Sequence, residues 1–286
     1  MTIDTLKSIE RIGRDGFLRL EYERAGGRTV LRRSSFRNPL QSMGTMRLDD
    51  GEGLCTVMLN PSGGLVAGDR LSVQSWIGAD CRVLLTTPSA TRVYRSLGAP
   101  AVQTTDIEVG PDAVLEWLPD TVIPYAGSYF QQSLTVRLAA GSTLILWDAY
   151  ASGRVARGER WRFGHFRNEI RITASGGREI LERFQIMPEE TPPDSPSLGE
   201  AWDYFASLYA VSDRLKNFQS LLNSLASVVE GRPGRVYGGV SETAAPGVVV
   251  RLAARSAADL SAAQQDLWKA ARLSLLGSPP PFLRKY

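Results

Sequence analysis

The side chains of this sequence that could do chemistry are acids held on or beside glycine-rich loops. Residues 60–69 read NPSGGLVAGD, in which Gly63, Gly64 and Gly68 permit a left-handed backbone or a close chain approach, and Asn60 with Pro61 favours a turn. Such a loop can hold Asp69 in one defined place. A second glycine-rich stretch, ASGRVARGER at 151–160, sets Glu159 among Arg154, Arg157 and Arg160, and its plainer reading is a turn with surface ion pairs. A third acid, Glu116, stands in EWLP at the end of an apolar run, where a strand end would put Trp117 in the core and Glu116 on the other face. Two such carboxylates, Asp69 and Glu159, could form an acid and base pair. The segment 86–96, TTPSATRVYRS, offers hydroxyls with Arg92 and Arg95 as an anion site, though the same residues populate ordinary strand edges.

Other chemistries are excluded by what is missing. A phosphate-binding P-loop needs Lys and Ser or Thr after its last glycine, and Asp69 and Arg70 stand there instead. The glycines do not follow the dinucleotide-binding spacing either. His165 is the single histidine, so a histidine-rich zinc or nickel site is impossible within one chain, and a Ser-His-Asp triad could be built only on it. Cys55 and Cys81 both lie in apolar runs and read as buried thiols rather than a disulfide. A net charge of +3 from 33 bases and 30 acids gives little support to nucleic acid or membrane binding. The first residues show no basic segment followed by an apolar one, and no apolar stretch approaches 18 residues, so the expectation is a cytoplasmic protein with no membrane span.

The elements that must position these acids are mostly strands. From Phe17 to Thr173 the dominant period is two, as in Leu18, Leu20 and Tyr22 or Leu134, Val136 and Leu138, with glycine-bearing turns between the runs. The runs 54–60 and 71–77 flank the first loop as strand, tight loop, strand. The rhythm predicts packed antiparallel sheets in preference to a doubly wound α/β fold. A proline- and acid-rich stretch at 187–199 predicts an exposed loop. Beyond it, apolar spacing predicts a helix over Asp213–Glu230, with Leu215, Phe218, Leu222, Leu225 and Val229 on its buried face. A second is predicted over Ala257–Leu276, capped by Ser256 and stopped by Gly277, with GVVVRLAA as a strand between them. The expectation is one domain across residues 1–286.

Taken in order, PSGGLVAGDRL, LLTTPSATRVYRS, LEWLPDTVIPYAGS, GRVARGERW and the ending GVVVRLAA…LWKAARLSLLGSPPPFLRKY resemble the UreD (UreH) urease accessory protein family. The resemblance runs from about Phe17 to Tyr286. Departures are Ala67 where glycine is frequent, PSAT where a glycine is usual, and Asp148 where glutamate is common. The resemblance implies a mainly β protein, stacked short strands forming packed β-helix-like sheets, with two helices in the C-terminal third. It implies a non-enzymatic assembly factor that helps insert nickel into apo-urease with UreF and the GTPase UreG, while UreE supplies the metal. It further implies nickel in transit rather than a tightly bound cofactor, and on that view Asp69, Glu116 and Glu159 are candidates to line the passage. Two other readings stay open: a β-sheet adaptor with no metal role, and a small-molecule enzyme using paired carboxylates. A chain of this type is also expected to be aggregation-prone without its partner.

Overall fold

The structure is a computed structural model that describes residues 14–48, 51–193, 202–215 and 217–283. The chain enters as β1 (Asp15–Ala25), turns back as β2 (Arg28–Arg37) and crosses as β3 (Gln41–Leu48). It then winds through four rungs. They are β4 (Gly53–Leu59) with β5 (Arg70–Ile77), β6 (Arg82–Thr86) with β8 (Ala101–Val109), β9 (Val114–Leu118) with β11 (Tyr129–Leu138), and β12 (Thr143–Ala151) with β13 (His165–Thr173). Two three-residue strands, β7 (Thr91–Val93) and β10 (Val122–Pro124), lie within the second and third rungs. The first strand of each rung lies in one sheet and the second in another, so like stacks on like. β4, β6, β9 and β12 pair parallel in the first sheet, and β5, β8, β11 and β13 are parallel neighbours in the second.

Antiparallel strands finish both stacks. β14 (Glu179–Ile186) completes a seven-stranded sheet in the order β14-β13-β11-β8-β5-β1-β2. In the other sheet β15 (Tyr204–Ser212), β17 (Gly247–Ala254) and β16 (Val236–Glu242) follow β12. The stacked, β-helix-like arrangement is thus the one the resemblance implies, but the antiparallel sheets read from the strand rhythm are corrected at the centre, where pairing is parallel. Alternation of buried and exposed side chains is the same for both directions of pairing, so it could not tell them apart. Parallel pairing normally demands a long crossover; here each crossover is itself a strand of the opposite sheet. For the same reason β4 and β5 are not a hairpin: the loop 60–69 carries the chain from one sheet to the other.

Two apolar layers result. Leu18, Leu20, Leu71, Val73, Leu134, Val136, Leu144 and Leu146 meet between the sheets. On the outer face of the ten-stranded sheet, Ile145, Trp147, Leu208 and Val250 pack under helices α1 (Phe218–Glu230) and α2 (Ala257–Leu276). The strand β12 is therefore buried on both faces. Helix α1 buries Leu221, Leu225 and Val229, and it begins at Phe218 rather than Asp213: Asn217 is its cap, accepting from Ser220 N–H at 3.0 Å. Asp213 is occupied elsewhere, accepting from Gly141 N–H and the Ser175 hydroxyl. Helix α2 follows its expected bounds, with the Ser256 hydroxyl accepting from Asp259 N–H at 3.1 Å and Gly277 left-handed at φ 68°. Both cysteines are buried free thiols. In the acid-rich loop Glu189, Glu190, Thr191 and Pro192 are exposed, and 194–199 lie outside the described residues.

Candidate functional site

Each rung turns twice, and the two turns are unlike. Passage from the seven-stranded to the ten-stranded sheet takes a few residues, closed by Cys81 N–H to Gly78 C=O, Ala113 N–H to Gly110 C=O and Ser142 N–H to Ala139 C=O. Passage the other way takes long arcs, 60–69, 87–100, 119–128 and 152–164. Four of the sequence motifs thus fall on one edge of the molecule. The arcs are joined by their backbones. Leu65 N–H reaches Arg92 C=O at 2.8 Å, Tyr94 N–H returns to Leu65 C=O at 2.8 Å, Tyr125 N–H to Val93 C=O at 2.9 Å, and Gly127 N–H to Arg162 C=O at 2.8 Å. Gly64 is required by this approach, since a Cβ there would stand 2.6 Å from Arg92 O and from Tyr94 Cε2.

Behind the arcs, between the two sheets, lies a cavity of about 130 Å³. Asn60, Gly63, Ser89 and Arg92 line its outer part, and Gln103, Thr105, Gln132 and Asp148 line it among Leu71, Val73 and Trp117. The polar residues follow from strand register. Gln103, Gln132 and Asn168 are adjacent partners along β8, β11 and β13, while Asp148, Ser207 and Arg251 are adjacent partners along β12, β15 and β17. Two polar rows, one from each sheet, therefore run parallel to the stacking axis, with neighbours about 4.8 Å apart.

Asp148 joins the rows. Its carboxylate accepts from Gln132 Nε2 at 2.9 Å and from Asn168 Nδ2 at 2.7 Å. Burial pushes the Asp148 carboxyl up to about 6; the two amide donors oppose the shift and the charge of Glu182 adds to it. Further along, Glu182 accepts from the Ser207 hydroxyl at 2.8 Å and from Arg251 Nε at 2.6 Å. The strip thus runs from the cavity through amides and a carboxylate to a second carboxylate at the β14 edge.

The acids singled out in the sequence are placed differently. Asp69 is buried at the end of its arc, accepting from Val66 N–H at 2.9 Å while its own N–H donates to Val66 C=O at 3.1 Å. Its carboxyl is raised, by burial first, against the Val66 hydrogen bond and the charge of Arg14. Glu116 faces the helices, where it receives Arg272 Nη1 at 2.7 Å and the indole N–H of Trp268. Trp117 points the other way, into the cavity wall, as the alternation required. Glu159 pairs with Arg154, whose guanidinium lies over the Tyr125 ring at 4.4 Å from its centroid. That pairing, more than any other contact, holds the Glu159 carboxyl low. None of the three lines the cavity, and the sheet itself stands between Glu116 and the other polar groups. His165 opens β13, and among the described residues no three His, Cys, Asp or Glu side chains gather as a metal site.

A family model described as UreD urease accessory protein matches residues 14–285. The chain belongs to that family. Proteins named urease accessory protein UreD resemble it. The one from Herpetosiphon aurantiacus is 32% identical over 99% of both chains, and that from Deinococcus radiodurans 34% over 99% of both. A third, from Haloarcula marismortui, is 31% identical over 96% of this chain and 91% of its own. In this UreD-family chain the buried polar strip beside the cavity carries Asp148, which stands out in the sequence only as a departure from the family pattern, and Glu182, which no sequence motif marks. Their signal is an acid on an otherwise apolar inward face, WDAY in β12 and LERF in β14. Among the described residues no helix is long and apolar enough to cross a membrane.

Proposed function

We propose that this protein is a non-enzymatic urease accessory factor that works with UreF and the GTPase UreG on apo-urease in the cytoplasm, and that nickel passes through it as cargo. The observation that supports a passage is the polar strip between the sheets, with Asp148 at its centre. A buried carboxylate flanked by amides is costly in a core and serves no packing purpose. Oxygen donors suit a hydrated divalent ion that must leave again, whereas imidazole and thiolate would retain it. Binding would displace the proton that Asp148 holds near pH 6, and the amides of Gln132 and Asn168 would keep the carboxylate oriented. In this reading Asp69 and Glu159 act at the mouth by fixing the arcs, and Glu116 acts through the seating of α2. No tight metal site is expected.

Gln132→Leu tests this reading. It keeps the side-chain volume but removes the polar link between cavity and Asp148. Urease activation in cells is expected to fall severalfold while UreF still copurifies with the variant. Full activation would instead favour the plain adaptor, which needs no interior polarity.

A further inference from the structure

The long-arc edge is charged in a one-sided way. Arg92, Arg95, Arg157 and Arg162 are exposed there, and none has a carboxylate within ion-pair distance among the described residues. The acids of the same arcs are withdrawn or engaged: Asp69 is buried, Glu159 is engaged by Arg154, and Asp120 is half-buried in the cavity lining, where its N–H donates to the Thr87 hydroxyl. The arginines form one surface because their arcs are joined. Arg92 pairs with Ile123 in the β7–β10 ladder, Arg95 packs on Gly127, and Gly127 bonds the backbone of Arg162. Beside them Tyr94 and Tyr125 meet edge to face with centroids 5.1 Å apart, and Leu97 is 88% exposed. The short turns at the opposite edge carry Asp80 and Asp112 instead.

We propose that this edge is a docking surface for a protein partner whose facing surface is rich in carboxylates. Guanidinium groups with tyrosine and an exposed leucine match the composition of protein interfaces, and unpaired arginines present forks that carboxylates fill. A second argument rests on the passage proposed above. The cavity reaches the surface between Gly63, Ser89 and Arg92, so a free cation approaching it meets an excess of exposed positive charge that Asp120 in the lining offsets only in part. A partner that hands over or receives a divalent ion carries carboxylates at its own port, and docking would neutralise the collar as the two openings meet.

The test uses the full-length chain with four probes: fluorescent poly-L-glutamate, a fluorescent single-stranded oligonucleotide, purified UreF and purified apo-urease, each at about 50 and 300 mM salt. Arg95→Glu/Arg162→Glu is expected to weaken poly-L-glutamate and at least one protein partner by roughly tenfold or more, and to flatten the salt dependence. Arg95→Gln/Arg162→Gln should show a smaller loss in the same order, which guards against a folding artefact. Arg28→Glu/Arg178→Glu, reversed at the far edge, should leave binding unchanged. Equal losses from both edges, or none from the arc variants, would overturn the proposal. So would a loss confined to a single-stranded oligonucleotide probe. Failure of the unmodified chain to bind either UreF or apo-urease would refute the accessory reading, while the poly-L-glutamate arm would still decide this one.

Discussion

Replacing Asp148 by Asn should make the protein more stable and less useful. In the folded chain the carboxyl titrates near 6, whereas its unperturbed value is 3.8. Between those values the folded protein keeps a proton that the unfolded chain has released, so stability falls as pH rises through the window. Above it the full cost of the buried charge is present. A shift of this size corresponds to roughly 3 kcal/mol at pH 8. The neutral amide removes that cost but keeps only one acceptor oxygen, so either Gln132 or Asn168 must turn its amide over or lose its acceptor, which returns about 1 kcal/mol. The net expectation is a gain of about 1–2 kcal/mol at pH 8, shrinking as pH falls below 6 and reversed near pH 4. Urea denaturation of both proteins from pH 5 to 8 reads this directly. A variant less stable than the parent at pH 8, or a difference that does not change with pH, would refute the buried-carboxylate argument.

Three further outcomes follow from the same geometry. Glu116→Ala leaves the Arg272 guanidinium of α2 buried against the sheet without that carboxylate and should cost about 3–5 kcal/mol, whereas Glu116→Gln/Arg272→Met should recover much of it; urea midpoints decide. Asp69→Ala removes the acceptor of Val66 N–H and should lower stability by about 1–2 kcal/mol, with partner binding falling alongside; an unchanged melting temperature together with lost activation would make Asp69 a passage residue instead. Isothermal titration of the isolated chain with nickel should give no stoichiometric submicromolar site, and such a site would contradict transit without storage.

The sequence was most readable where local rules decide. Helix α2 begins and ends where Ser256 and Gly277 require, and the strand over 247–254 follows from its apolar run. Strand direction was not readable, because Leu71, Val73 and Ile77 alternate identically in either pairing, and β4 and β5 look like a hairpin until their sheets are known. The collinear motifs pointed to the right family, while the acids they single out, Asp69, Glu116 and Glu159, lie outside the cavity lining. Asp69 and Glu159 stand out because glycine surrounds them, and that glycine serves the close approach of neighbouring arcs, as at Gly64. Asp148 and Glu182 are 34 residues apart in sequence, and only register and sheet packing bring them into one polar strip.

Delivery of nickel to urease is expected to depend on the interior strip. The direct measurement is the nickel content of urease purified from cells that carry Asp148→Asn in place of the native chain, with UreF and apo-urease shown to bind the variant normally. The account predicts urease depleted severalfold in nickel from an intact, more stable assembly. Urease with its full complement of nickel from that same assembly would contradict it.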